Sequence, residues 1–352
     1  MTTINVSTAA QLQSALASAQ GGDVIVLADG YYGDVSIDEN FSSYVTIRAA
    51  TPLGATFDSI TINNSSYLKL DGVHVDSPDN SGNTLLGISY SDHIMVVDSE
   101  VNGKVDTVYP IAGPQFGIRV ENSSYVTVDD NNVHDVVNGV AFFGSDHLTL
   151  TGNNVDYIGA DAFKFGNIDT ALIENNTGPS YLYPDDDAHS DFMQFQGDSS
   201  SNLTIRGNVF LPQNHFGTQG IFIAGDGGHS NILIEQNIIH TKMANGIYVA
   251  GNSTGVTIRD NTLIAADGDV TRIAAPDDAS VSGNITSGRN GARNGSNLTL
   301  QGGDAGAAYF IGDLFPHWVL GQGLTLQALR PRAGSEAATT GAAERLRALL
   351  AP

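Results

Sequence analysis

One short pattern returns seven times between Val126 and Asn284, and it limits the possible folds more tightly than any other feature. It reads Val-Thr-Val-Asp-Asp-Asn at 126–131, Leu-Thr-Leu-Thr-Gly-Asn at 148–153 and Ala-Leu-Ile-Glu-Asn-Asn at 171–176. It returns at 203–208, 232–237 and 256–261, and fades at 279–284. Aligned on Asn131, Asn153, Asn175, Asn208, Asn237, Asn261 and Asn284, the steps are 22, 22, 33, 29, 24 and 23 residues. Apolar and polar residues alternate in each copy, then a turn rich in Asn, Gly and Asp follows. That is a half-buried strand and its turn. A strand-based repeat near this length is a solenoid signature.

A second strand lies between the copies, as Gly117–Val120, Gly139–Phe142, Ala162–Phe165, Phe192–Phe195, Gly220–Ile223 and Gly246–Val249. Two strands and several turns in about 22 residues leave no room for a helix, and one such unit cannot bury its own apolar face. Stacked coils of an all-β, single-stranded parallel β-helix satisfy both limits. On these residues the chain resembles the right-handed, pectate-lyase-like β-helix superfamily over roughly residues 4 to 300. The resemblance implies the fold and a polysaccharide ligand, while activities on this scaffold vary.

Before the coils, Thr8-Ala-Ala-Gln11 reads as a capping box, with Leu12, Ala15 and Leu16 as the apolar stripe of a short helix that ends near Gly21-Gly22. A helix there covers an open stack end. This opening resembles that of the chondroitinase B and alginate lyase group. After Asn284 the pattern dissolves, and Glu344–Leu350 reads as a terminal helix. The expected organisation is a cap over 1–30, a β-helix over 31–290, and a C-terminal cap or oligomer contact over 291–352. A monomer or a homotrimer is expected.

The formal net charge of −23 argues against nucleic acid and anionic membrane surfaces. Seven of the 15 Lys and Arg residues follow residue 270, so the repeats are poor in cations. No run of 18 apolar residues exists, so no membrane insertion is expected. There is no Cys, and the first residues carry no Sec-type signal. An extracellular or virion-associated location is expected.

Stacking sets equivalent positions about 4.8 Å apart. One outward column then reads Arg119, Ala141, Lys164, Gln194, Phe222, Tyr248; three residues earlier another reads Phe116, Asn138, Asp161, Asp191, Gln219, Asn245. β-Elimination or C5-epimerisation of a uronate needs a cation for the carboxylate, a base for the C5 proton and an acid for the leaving oxygen. Arg119 or Ca²⁺ fits the first role, Lys164 or His189 the second, and Tyr183 or Tyr181 the third. Asp161 and Asp191 suit an alternative, glycoside hydrolysis by paired carboxylates. Gln194, Gln219, Phe222, Tyr248 and Phe216 are candidate sugar contacts, the aromatic rings by stacking. Asp185, Asp186 and Asp187 supply oxygen ligands for a possible Ca²⁺. The same residues also admit a structural reading, as solvated cations and turn-capping carboxylates.

The chain lacks the Asp-Pro-His motif of mannuronan epimerases and the Asn-Gly-Gly-Glu-type segment of the chondroitinase B group. No catalytic residue is therefore carried over from a family. The expected function is a lyase or epimerase on a uronate polysaccharide. The alternatives are a non-catalytic polysaccharide-binding spike of a phage-like particle and an Asp-dependent hydrolase.

Overall fold

The computed structural model describes residues 1–77, 83–104, 115–179, 190–212, 217–265, 271–287, 297–299, 315 and 325–351. They form two compact units, Met1–Leu172 and Ile173–Pro352. Both are built of parallel β-helix coils, as the repeat requires.

In the first unit a coil runs through Ser124–Asp129, Asn132–Val136 and Asn138–Phe143, and the next through Asp146–Thr151, Asn154–Ile158 and Phe163–Gly166. We call these the repeat strand, the short strand and the glycine-led strand. Sequence reading predicts two strands per coil; the short strand is a third. Its apolar signal is a single inward residue, Val101, Val133 or Val155, stacked on its equivalents. Parallel pairing puts like on like. Val126 pairs with Ile94 and Val128 with Val96 in the repeat strands, while Ile118, Val140 and Phe163 share one inward column of the glycine-led strands. The second unit repeats this, with Ile232 over Val256 and Ile221 over Ile247 over Ile273. Each inward aliphatic or aromatic side chain contributes about 1.5–3 kcal/mol by leaving water.

The corner after each repeat strand is held by an amide ladder. Asn131 donates to Asn153 Oδ1 through both its backbone N–H and its Nδ2, each at 3.0 Å. In the second unit the same double bond links Asn176, Asn208, Asn237, Asn261, Asn284 and Asn297. This corrects the alignment by one residue, since Asn176 and not Asn175 belongs to the ladder. Asn175 has φ +59° and holds the left-handed position just before it, as do Asp130, Gln236 and Asp260. Asn tolerates that conformation, so two adjacent asparagines look alike in sequence and differ in role.

A second ladder, of hydroxyls, holds the corner before the repeat strand. The backbone N–H groups of Ser65, Ser91 and Ser123 donate to the Oγ atoms of Ser91, Ser123 and Ser145. In the second unit His229 replaces one serine. Its Nδ1 accepts from Ser200 N–H at 3.0 Å, and its own N–H donates to Ser253 Oγ at 3.3 Å. On the outside of the first unit, Tyr67, His93, Tyr125 and His147 stack in turn at 4.3–4.7 Å.

The N-terminal helix spans Ala9–Leu16, with Thr8 as its cap. Gln11 Oε1 accepts from Ser7 N–H at 2.8 Å, which closes the box one residue earlier than predicted. The helix stops at Leu16, short of Gly21. At the other terminus, Phe315, Leu329, Ala337, Ala342 and Leu346 pack against Val209, Ile238, Ile264 and Ile285. Ala342 N–H also donates to Thr262 Oγ1 at 3.0 Å. The tail therefore covers the flank of the short strands. In the first unit the outward positions of that flank are polar: His74, Glu100, Asn132 and Asn154. In the second they become Val209, Ile238, Thr262 and Ile285, an apolar strip that needs cover.

Candidate functional site

Alternation leaves one residue in two of each glycine-led strand pointing outward. In the first unit, Arg119 pairs in register with Gly87 on one side and Ala141 on the other, and Ala141 with Lys164. The predicted Arg119–Ala141–Lys164 column therefore exists. Both cations in it are engaged. Lys164 Nζ donates to Asp161 Oδ2 at 2.8 Å, where the Asp161 side chain is only 3 % exposed. Arg119 Nη2 donates to Glu121 Oε1 at 2.5 Å, and its guanidinium lies 4.9 Å from the Phe116 ring centroid and 5.6 Å from that of Phe143. The small neighbours Gly87 and Ala141 leave it room to lie across these rings. Lys164 is thus held against a buried carboxylate.

The second unit gathers the other predicted residues. Gln194, Phe222, Tyr248 and Ala274 form one outward column. The Phe222 and Tyr248 rings are 4.8 Å apart at 20°, a stacked pair. Two to three residues earlier on each strand, Asp191, Gln219, Asn245 and Arg272 form a second column. It is a directional chain of hydrogen bonds. Arg272 Nε donates to Asn245 Oδ1 at 3.2 Å, Asn245 Nδ2 donates to Gln219 Oε1, and Gln219 Nε2 donates to Asp191 Oδ1 at 3.1 Å. Asp191 and Gln219 are each 1 % exposed, so the bond between them forms out of water, where it fixes geometry most strongly, while the Arg272 end of the chain is exposed. Gln196 Nε2 donates to Gln194 Oε1 and orients that amide as well.

Arg272 is the member that sequence reading missed. Its strand, Arg272–Ala274, lacks the leading glycine and the second apolar residue of its relatives. The signal was its place 27 residues after Asn245, one coil on. His189, Tyr181, Tyr183, Phe216 and the carboxylates Asp185, Asp186 and Asp187 lie outside the described residues. Among the described residues no group of three or more His, Asp or Glu side chains is arranged to hold a metal ion.

Two histidines on the short strands have distinct surroundings. His134 pairs in register with Asp156 and touches Asp135 at 2.7 Å and Glu100 at 3.3 Å. The hydrogen bond to Asp135 raises its pKa; partial burial opposes this, and Glu100 adds to it. His240 faces Ile264 on the flank of the second unit.

A model of the right-handed beta helix region matches residues 35–263. A search of curated proteins finds no match. Among solved structures, the surface adhesin PfbA of Streptococcus pneumoniae has 11 % identity and a TM-score of 0.53, over 86 % of this chain and 88 % of that one. The PL6 family alginate lyase AlyGC has 16 % identity and a TM-score of 0.49, over 96 % of this chain; this chain spans just over half of that lyase, 56 %. The pectate lyase Pel9A has 12 % identity and a TM-score of 0.46, over 95 % and 90 % of the two chains. At these identities the likeness concerns the fold. The neighbours are lyases in two cases and an adhesin in the third. Among the described residues no helix is long and apolar enough to cross a membrane.

Proposed function

The chain belongs to the right-handed beta-helix family, and from that premise we propose that it is an extracellular polysaccharide-binding protein whose ligand lies along the outer face of the glycine-led strands of its second unit. One observation carries this reading. The stacked Phe222–Tyr248 pair stands beside a pre-ordered track of amides, Gln194, Gln219 and Asn245. Aromatic rings offer apolar faces and edges to the C–H groups of sugars, and fixed amides offer both donors and acceptors to their hydroxyls. A receptor-binding spike of a phage-like particle is one form such a protein takes. Affinity electrophoresis through gels cast with different polysaccharides tests it. At least one polymer should retard the protein, and Tyr248→Ala should weaken the retardation about tenfold. Unchanged mobility across the panel would overturn the reading.

A second reading is favoured by the Arg119–Ala141–Lys164 column of the first unit. A uronate lyase or C5-epimerase places a cation on the carboxylate, which lowers the cost of forming the C5 carbanion, and a base on the C5 proton. Arg119 supplies the first group. Lys164 supplies the second only once its bond to Asp161 opens. Elimination creates a double bond that absorbs in the ultraviolet. A rise in that absorbance with a polyuronate, lost in Lys164→Ala, would establish the lyase. Reducing ends without absorbance would instead indicate hydrolysis and direct attention to Asp161 and Asp191.

A further inference from the structure

We infer that the outer face of the second unit takes an uncharged glycan, with the sugar seated on the Tyr248 ring, whose register partner on the next coil is Ala274. This rests on the polysaccharide reading above and names its ligand class.

The argument is one of charge and shape. The four glycine-led strands Ser190–Gln196, Thr218–Ile223, Asn245–Val249 and Arg272–Ala274 stack in register, so they span three steps of about 4.8 Å, or about 14 Å, enough for a short oligosaccharide. Their two polar columns hold one carboxylate, Asp191, and one guanidinium, Arg272. These two are the ends of a single hydrogen-bonded chain, and their charges cancel. Every residue between them is an amide or an aromatic ring. An acidic polymer lying along this face would bring a carboxylate to nearly every sugar and meet one cation. The rest of the chain adds to the mismatch, with its formal net charge of −23. A neutral polymer incurs no such repulsion, and its hydroxyls can accept from the exposed Arg272 end of the chain.

Shape locates the contact. One face of the Tyr248 ring rests on Phe222. Its register partner on the following coil is Ala274, whose single methyl cannot cover a phenol ring. Beside that step stands Arg272, held by its Nε to Asn245, which leaves its terminal nitrogens to donate to hydroxyls.

The test is affinity electrophoresis of the full chain against neutral polymers (galactomannan, xyloglucan, dextran) and acidic ones (polygalacturonate, alginate). It is run at about 20 mM and about 300 mM NaCl, where the screening length falls from roughly 20 Å to roughly 6 Å. The expected result is retardation by a neutral polymer that is the same at both salt concentrations. Tyr248→Ala should weaken it about tenfold, and Arg272→Gln, which removes the guanidinium donors, should also weaken it, equally at both salt concentrations. Melting curves of both variants confirm folding. Stronger or equal retardation by an acidic polymer, falling with salt, overturns the inference and leaves the polysaccharide reading standing. Neutral binding that survives in Tyr248→Ala also overturns it. Retardation by none of the polymers overturns both.

Discussion

Replacing Asn237 by Ala should cost the second unit about 4–6 kcal/mol. Asn237 is fully buried, and its side chain makes four hydrogen bonds. Its Oδ1 accepts from the backbone N–H and the Nδ2 of Asn208, both at 3.0 Å. Its Nδ2 donates to the Ile205 carbonyl at 3.0 Å and to Asn261 Oδ1 at 2.9 Å. The truncation strands these partners unequally. Asn208 Nδ2 keeps the Ile173 carbonyl, and Asn261 Oδ1 keeps the backbone N–H of residue 237. The Asn208 backbone N–H loses its acceptor and lies too deep for water. A stranded buried donor costs about 1–3 kcal/mol, and each further lost bond about 1 kcal/mol. Against the roughly 5–15 kcal/mol that holds a typical domain, that is a large share. Asn252→Ala is the control, because Asn252 is exposed and donates once, to the Asp226 carbonyl at 2.9 Å; it should change stability by less than about 1 kcal/mol. Urea unfolding followed by far-ultraviolet circular dichroism measures both. Amide hydrogen exchange at Asn208 then localises the effect to the second unit, as is needed where a chain holds two units. Equal destabilisation by the two variants, or unchanged protection at Asn208, would refute the claim that the amide ladder holds this corner.

Three further outcomes follow from the same framework. His134 has its pKa raised chiefly by Asp135, so its contribution is complete below the unfolded value of about 6.5 and is lost as pH rises through the folded value; His134→Gln should lie about 0.5–1 kcal/mol below wild type near pH 5.5 and match it near pH 9 in urea titrations. His229 is the opposite case: burial lowers its pKa, partly countered by the Ala224 carbonyl, so its contribution is present above the unfolded value and lost as pH falls through the folded one. His229→Ser, which restores the hydroxyl ladder, should flatten the acid side of the melting-temperature profile, and an unchanged profile would count against His229 as the source. Gly152 has φ +66°, and a Cβ there would stand 2.1 Å from Asp130 Oδ1, so Gly152→Ala should destabilise by about 1–3 kcal/mol in thermal unfolding.

The repeat made the coil readable because its inward residues recur in register. Val128 lies on Leu150, and Ile234 lies on Ile258, where alternation alone places them. The outward columns were legible for the same reason, down to Arg119 with Lys164 and Phe222 with Tyr248. What pairs with those side chains was less so. Asp161 stands three residues before Lys164 and Glu121 two after Arg119, spacings that reach each other only in the particular rotamers adopted. The hydroxyl ladder escaped notice because serine is common in turns whether or not it bonds across coils. The ring stack escaped although Ser-Tyr-Leu, Asp-His-Ile, Ser-Tyr-Val and Asp-His-Leu recur at 66–68, 92–94, 124–126 and 146–148; Tyr and His look unrelated until both are seen as flat rings. The apolar flank of the second unit, Val209, Ile238 and Ile285, was not legible, because outward is told from inward there only once the short strand is known.

The amide spine fixes pitch and leaves contour length free. Successive links of the second unit are 32, 29, 24, 23 and 13 residues apart in sequence, yet each closes with the same pair of bonds at 2.9–3.0 Å. Coils of unequal length are therefore held at one spacing on this spine. Such a scaffold permits excursions to be lengthened, shortened or exchanged one coil at a time, so that what the surface recognises can diverge while the spine beneath it keeps the same geometry.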